Sequence, residues 1–404
     1  MTAQQDNPLH KLSTQQLEDL GKEFDALHDE IYGDLGDPDA AYIRNMVNFQ
    51  RRLVLASRLV LLFSKYKPAW VVGTAGLSVA KILENMEIGH NVMHGQWDWM
   101  NDPNIHSSTW DWDTASPAAA WKHSHNYVHH TYTNVIGKDK DVGYEIMRID
   151  PRQPWKPSYL FQPVYNLLLT AFFEWGVAIH DLDFPRIHNG EKSKKQLWDE
   201  LKAIGTKARR QIMKDYIGWP AVSTAAAVAI NGPKNWADAA EETYKATFWA
   251  NFTSNIVRNI WSNAIIFCGH FPDQTFTFTE DEVKDESRGA WYVRQLIGAA
   301  NIDGSPLFHI MSGNLSFQVE HHLYPDMPSS RYQEIAPRVK EICERYGLPY
   351  NTGPLRKQWG SVQRTILRLA FPGGGPRPKP GPYQLSPEEK AAKKRAQERV
   401  PAFP

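Results

Sequence analysis

Histidines recur in short, ordered groups along this chain, and no other feature limits its possible folds as much. His90 and His94 lie four residues apart. His125, His129 and His130 follow, then His270 alone at the end of an apolar segment, then the adjacent pair His321 and His322. Counting His123, four of the ten residues 122–131 are histidine, against 15 in 404 overall. On a helix, positions four apart share a face, so His90 with His94, and His125 with His129, each aim two imidazoles one way. Taken singly, an i, i+4 pair is more often structural than not, and a lone helix-end histidine is favoured by the helix dipole. Three paired sets in one chain are not explained that way. Eight imidazoles are about twice what one tetrahedral ion takes, and they suit a nitrogen-preferring transition metal such as zinc, copper, iron or nickel. The fold must bring several helix ends to one point.

Composition removes some classes. Lys+Arg and Asp+Glu both total 45, so no net charge steers the chain toward nucleic acid. The two cysteines, Cys268 and Cys343, have no spacing of a disulfide framework or thiolate metal site, which fits a reducing, cytosol-facing location. The first thirty residues lack the apolar core of a secretory signal. Mean hydropathy is −0.50, and no stretch offers the roughly 20 apolar residues of a clean bilayer span.

Read in order, residues 1–45 predict a soluble helical segment. Ser13 and Gln16 have capping-box spacing, and Leu17, Leu20, Phe24, Leu27 and Ile31 recur at helical intervals. Residues 51–63 and 69–80 predict a helical hairpin running on into the first histidine pair. Residues 159–180 are long enough to span but contain Glu174. The stretch 181–215 is rich in Lys and Arg, and the positive-inside tendency would keep it and the histidines cytoplasmic. Segment 159–180 is therefore read as interfacial, re-entrant or packed. Residues 216–230 and 246–267 predict a second hairpin, interrupted by Arg258 and joined by the polar stretch 231–245. The Pro-, Gly- and charge-rich segment 361–404 reads as a flexible tail.

The order HxxxH, HxxxHH, QxxHH, with Gln318 opening the third set, resembles the membrane fatty acid desaturase family. The flanking sequences ENMEIGHNVMHGQWDWMNDP, HNYVHHTYTN, SNAIIFCGHFPD and SGNLSFQVEHHLYPDMP are similar to those of bacterial, actinobacterial-type acyl-CoA desaturases. The resemblance covers about residues 40–360. It implies an all-α, membrane-type desaturase fold, with helical hairpins below a cytosolic helical cap that holds two irons. Residues 46–360 would be the desaturase domain. By the same resemblance, His90, His94, His125, His129, His130, His270, His321 and His322 would be the metal ligands. Gln318 stands where related branches carry a further histidine. Glu87, Asp141 and Glu320 are candidate acceptors for imidazole N–H groups. His123 points away from His129 on a helix and reads as second-tier or surface.

The family implies an O2-dependent non-haem di-iron oxidoreductase that introduces a cis double bond into a long-chain acyl-CoA. A Δ9 position on stearoyl or palmitoyl is the expectation. Two Fe ions and O2 would be needed. No His-Pro-Gly-Gly haem motif and no Rossmann glycine pattern are present, so no bound haem or flavin is expected. Electrons would come from a separate donor of the ferredoxin, rubredoxin or cytochrome b5 type with a reductase. The expected setting is a membrane, in contact with lipid, with the active site facing the cytoplasm. Three alternatives compete. A di-iron hydroxylase of the same superfamily shares the motifs. A zinc-binding membrane receptor would hold one ion and show no turnover. A soluble carboxylate-bridged bundle would need two Glu-x-x-His motifs, and only Glu87 with His90 fits. Arg58, Glu174 and Arg258 sit where such a fold should meet lipid, at about 2.5–3.5 kcal/mol per mid-bilayer charge.

Overall fold

The computed structural model describes residues 7–231, 236–375 and 377–398. In chain order the main helices are α1 (Thr14–Gly33), α2 (Asp37–Leu61), α3 (Lys67–Leu83), α4 (Gln162–Ala171), α5 (Phe173–His180), α6 (Lys194–Gln211), α7 (Trp219–Asn231), α8 (Trp236–His270), α9 (Arg288–Gly298), α10 (Gln318–Leu323), α11 (Tyr332–Tyr346), α12 (Leu355–Leu369) and α13 (Pro387–Glu398). The all-α reading holds. Among the described residues, the one sheet is a two-stranded parallel ladder, β1 (Asn301–Asp303) with β2 (Thr352–Pro354).

Helix α1 starts at the expected capping box: the Ser13 hydroxyl accepts from Gln16 N at 3.2 Å, and the Gln16 carbonyl accepts from Ser13 N at 2.9 Å. Its apolar face, Leu20, Phe24, Leu27 and Ile31, enters the main core with Tyr292, Leu296 and Val339 of α9 and α11. The α1–α9 crossing is close enough that a Cβ on Gly289 would run into the Leu17 carbonyl. Helix α2 passes without a break through residue 45, where a segment boundary is expected from sequence. Ile43 and Val47 lie on one buried face there, packed with Val92 and Trp97, so the helix has no reason to end.

Helices α2 and α3 form the first expected hairpin, and α7 with α8 the second. Helix α8 alone is 35 residues, about 52 Å at 1.5 Å per residue. The polar connection shrinks accordingly: it is helical from Trp236, and 232–235 lie outside the described residues. Segment 159–180 folds as a 3-10 turn, then α4 and α5 broken at Phe172, whose φ and ψ of −117° and 37° are not helical.

The expected flexible tail is corrected in part. Helix α12 carries the fold to Leu369, with Val362 and Ile366 buried against Phe173 and Phe267. Residues 377–398 then fold back. Tyr383 N donates to Leu348 O at 2.8 Å, Leu385 is buried, and Lys340 of α11 pairs with Glu389 of α13 at 2.8 Å. A few apolar anchors and ion pairs fix a segment whose average composition reads as disordered.

The charges that interrupt the apolar helices face inward. Arg58 of α2 and Lys81 of α3 each meet Asp215 at 2.8 Å, and all three side chains are buried. Arg258 of α8 pairs with Glu174 of α5. No helix among the described residues is long and apolar enough to cross a membrane. Large apolar side chains nevertheless stand exposed along these hairpins and α4, among them Phe49, Leu55, Leu59, Val72, Leu167, Leu168, Trp249 and Ile260.

Candidate metal centre

Two of the histidine groups sit on a rarer backbone than the α-helix their spacing suggests. Glu84–His90, continuing α3, and Lys122–His129, after the short helix Ala118–Trp121, are π-helical. Such turns bond i to i+5 and often mark functional sites. The wider turn brings position i+5 round toward i, so His130 joins His125 and His129 on the inner side. His270 ends α8, and α10 supplies Gln318, His321 and His322. Gly269 lets α10 approach: a Cβ there would lie 2.7 Å from the Gln318 carbonyl oxygen.

All eight histidines converge. His90, His94, His125 and His321 offer ring nitrogens within 4.8 Å of one another, and so do His129, His270 and His322. His130 stands between the two sets, its ring centroid 4.8 Å from His94, 4.9 Å from His321 and 4.6 Å from His322. His123 is exposed and stacks on Tyr127, 5.8 Å away, outside both sets.

Hydrogen bonds on the outer nitrogens fix the rings. His129 Nδ1 meets Asp139 at 3.0 Å, His90 Nδ1 meets the Asn91 carbonyl at 3.0 Å, His321 Nδ1 meets the Tyr332 hydroxyl at 3.1 Å, and His322 Nδ1 meets the Gln295 carbonyl at 3.0 Å. Asp141 lies 3.6 Å from Nδ1 of both His125 and His129, and 3.4 Å from His180 Nε2. The inner nitrogens have no partner: Nε2 of His94, His125, His129 and His321, and both nitrogens of His130, are buried and unpaired. An unmet buried polar atom costs roughly 1–3 kcal/mol, so this many in one chamber calls for an electron-pair acceptor. His270 Nε2 and His322 Nε2 face each other at 3.4 Å, the separation that two metal–nitrogen bonds of about 2.0–2.1 Å give at a tetrahedral angle. The residues fit a bound metal.

Electrostatics agree. Burial first, then neighbouring imidazoles, lower the pKa of His94, His130, His321 and His322 well below the ordinary value, and His90 falls to about 3. These rings are neutral, with lone pairs free to ligate. His129 is the exception: burial pushes it down, but the Asp139 carboxylate outweighs that and raises it.

Of the three carboxylates expected to orient imidazoles, only Asp141 lies beside them. Glu87 accepts from the hydroxyls of Tyr42 (2.8 Å) and Ser329 (3.0 Å) and from Asn314 (3.0 Å), and burial raises its pKa to about 7. Glu320 accepts from Tyr350 (2.7 Å) and Asn301 (2.8 Å). Both point away from the rings because polar partners on α2, β1 and neighbouring loops claim them. Gln318 lies in the chamber, its amide nitrogen 3.2 Å from His270 Nε2 and its carbonyl oxygen unpaired. Asp139, Gln295, Tyr332 and His180 are the neighbours that the motif reading missed. Only Asp139 carried any signal, as half of an acidic pair close after the second histidine set.

A cavity opens from this chamber, lined by His90, His125, His129, His270, Trp112, Trp121, Phe173, Val177 and Ile266. It shares Ser124, Asp141 and Asp181 with a surface groove under α6.

A sequence profile described as Fatty acid desaturase matches residues 68–354. The chain is 46% identical over 361 residues to an NADPH-dependent stearoyl-CoA 9-desaturase of Mycobacterium tuberculosis, covering 89% of this chain and 82% of that one. It is 25% identical over 300 residues to an sn-1 linoleoyl-lipid 6-desaturase of Synechocystis, covering 72% and 77%. An acyl-lipid (7-3)-desaturase of Rebecca salina is 26% identical over 306 residues, 74% of this chain and 63% of that one. No solved structure matches.

Proposed function

The chain belongs to the fatty acid desaturase family, and from that premise we propose that it is an acyl-CoA desaturase that introduces a cis double bond into a long saturated acyl chain, at Δ9 of stearoyl- or palmitoyl-CoA. The observation that carries this reading is the convergence of eight histidines, five of which (His94, His125, His129, His130 and His321) turn buried ring nitrogens without a protein partner into one chamber. The catalytic unit encloses the matched stretch and reaches past the 46–360 expected from sequence, taking in α1, the whole of α2 and α12.

Two irons, held by His90, His94, His125 and His321 on one side and His129, His270 and His322 on the other with His130 between, would supply the O2 reduction needed to remove hydrogen from an unactivated methylene. The protein's own part is positioning. Asp139, Asp141, Gln295 and Tyr332 hold the rings through their outer nitrogens, which fixes tautomer and aim. Gln318, a neutral amide, leaves a side of the second set less crowded with nitrogen donors. Glu87 and Glu320 brace the loops behind the rings. Trp112, Trp121, Phe173 and Ile266 line an apolar path beside the imidazoles, and hydrocarbon, lacking a polar handle near its reacting carbons, can be selected only by such a shape.

The relative's name specifies NADPH. Because this chain carries no nicotinamide-binding pattern, those electrons would arrive through a separate reductase and donor protein. The exposed apolar side chains on α2, α3, α4 and α8 support membrane association, with the active site on the cytoplasmic side. The test is direct: purify the protein, count iron, then supply stearoyl-CoA, O2 and a reducing system and analyse products by mass spectrometry. Iron bound in pairs and oleoyl-CoA are expected. Iron near zero in protein purified anaerobically from iron-replete cells would sink the reading, and a hydroxylated product without an alkene would make the protein a hydroxylase.

A further inference from the structure

The cavity beside the imidazoles does not end as hydrocarbon-binding cavities are expected to end. On α5 and just beyond it, Glu174, Val177 and Asp181 recur at i, i+3 and i+7, one face of the helix, and all three line the cavity. Asp181 is at its mouth, shared with the surface groove, and Glu174 lies about 10 Å deeper. On α8 the lining face runs from His270 at the imidazoles through Ile266 to Arg258 and Asn259; Arg258 is about 18 Å from His270 along the helix. Both walls therefore end at the same buried ion pair, Glu174 with Arg258.

That pair is fixed on every side. Arg258 donates to Asp113 O at 3.2 Å and to the Asn259 carbonyl at 3.1 Å. Glu174 accepts from Gln211 at 2.9 Å and from Ala115 N at 3.2 Å. Asn259 is itself tied to Ala171 O at 3.1 Å. A methyl group pressed against this floor gains no contact that offsets stripping partners from a buried charge pair. Thr114 stands between the two residues that hold the pair, buried, lining the cavity, with its hydroxyl unpaired.

Resting on the acyl-CoA desaturase reading, we propose that the Glu174–Arg258 ion pair is the stop against which the methyl end of the substrate chain abuts, so that this pair limits the acyl length the enzyme accepts. The carbonyl end lies on the Asp181 side, toward the groove under α6, and the reacting carbons pass the imidazoles between the two.

The experiment measures equilibrium binding of saturated acyl-CoAs, from palmitoyl to behenoyl, to the iron-loaded enzyme under argon without reductant. Glu174→Gln combined with Arg258→Met removes both charges, keeps an acceptor for Gln211 and Ala115, and puts a flexible apolar side chain at the floor. The affinity of behenoyl- relative to stearoyl-CoA should rise about tenfold or more. Thr114→Leu fills the same end and should shift preference the other way, toward palmitoyl-CoA. Product analysis with the paired variant should show longer chains desaturated at an unchanged distance from the thioester. A wild-type length preference in both variants, or a double bond moved relative to the thioester, overturns the proposal. If the paired variant does not fold, Thr114→Leu decides alone by the same criterion. Wild-type enzyme that binds no acyl-CoA at all would instead overturn the desaturase reading, and this proposal with it.

Discussion

Asp139 carries more of this site than its place in the sequence suggests. Its carboxylate holds His129 Nδ1 at 3.0 Å while accepting backbone N–H bonds from Asn134 at 2.8 Å and Asp141 at 3.0 Å. Replacing such an orienting partner typically costs 10–100-fold in metal affinity. Asp139→Asn should therefore weaken iron binding by about that factor, read by competition with a chelator. His125→Ala should lose metal outright, and His188→Ala, at the exposed end of the short helix Phe184–His188, should change nothing. Equal metal content in all three would mean that the inner set of histidines is wrongly drawn. The contrast shows what was legible. Spacing found His90, His94, His125, His129 and His130 because neighbours on one helical turn are neighbours in sequence. Spacing could not find Gln295 or Tyr332, which reach His322 and His321 from other helices across 27 and 11 positions. It misassigned Glu87 and Glu320, whose helical placement looked suitable, because Tyr42, Asn314 and Tyr350 bind them from segments no local pattern connects.

At the level of elements, the sequence showed where helices are but not of which kind. Histidines four apart fit an α-turn and a π-turn equally well, so the π-helices at Glu84–His90 and Lys122–His129 leave no signature in periodicity. The break at Phe172 is equally silent, with no Gly or Pro to announce it. The C-terminal segment shows the opposite failure, where composition hid a docked helix. Glu389 is the clamp. Partial burial pushes its carboxyl up, but bonds from Lys340, Ser386 and Tyr383 outweigh this and hold it at about 2, against 4.5 for the free side chain. A carboxyl depressed by folding adds stability that is complete above the unfolded value and is lost as pH falls through the folded one. Docking of α13 should thus be firm at neutral pH and weaken between about pH 4.5 and about 2. Hydrogen exchange of amides 388–395 measures this. Glu389→Gln should raise exchange there already at pH 7, leaving α9 and α11 protected; equal protection in the variant would mean that Leu385 and Tyr383 alone hold the segment.

The whole molecule resolves a conflict that residue patterns leave open: a family expected at a membrane, built here from helices that carry charges. The charges meet in the interior. Asp215 joins α2 and α3 through Arg58 and Lys81, and Asn255 of α8 lies 3.4 Å from it. The ions that spoil the apolar profile of each helix thereby tie the hairpins together and leave Leu55, Val72 and Trp249 facing out. Burying ions is costly, so this arrangement should show up as coupling more than as net stability. Removing one member of a buried pair typically costs about 3–5 kcal/mol because the other charge is stranded. Asp215→Leu strands two cations, Arg58→Met leaves Asp215 with Lys81, and the first should therefore be the more damaging. In the double variant, Lys81 still has Asp113 at 3.7 Å, so part of the loss should be recovered. A coupling energy of about 0.5–3 kcal/mol is expected from a double-mutant cycle in detergent solution. Strict additivity of the two losses would show that the charges are tolerated individually and do not bind one hairpin to the other.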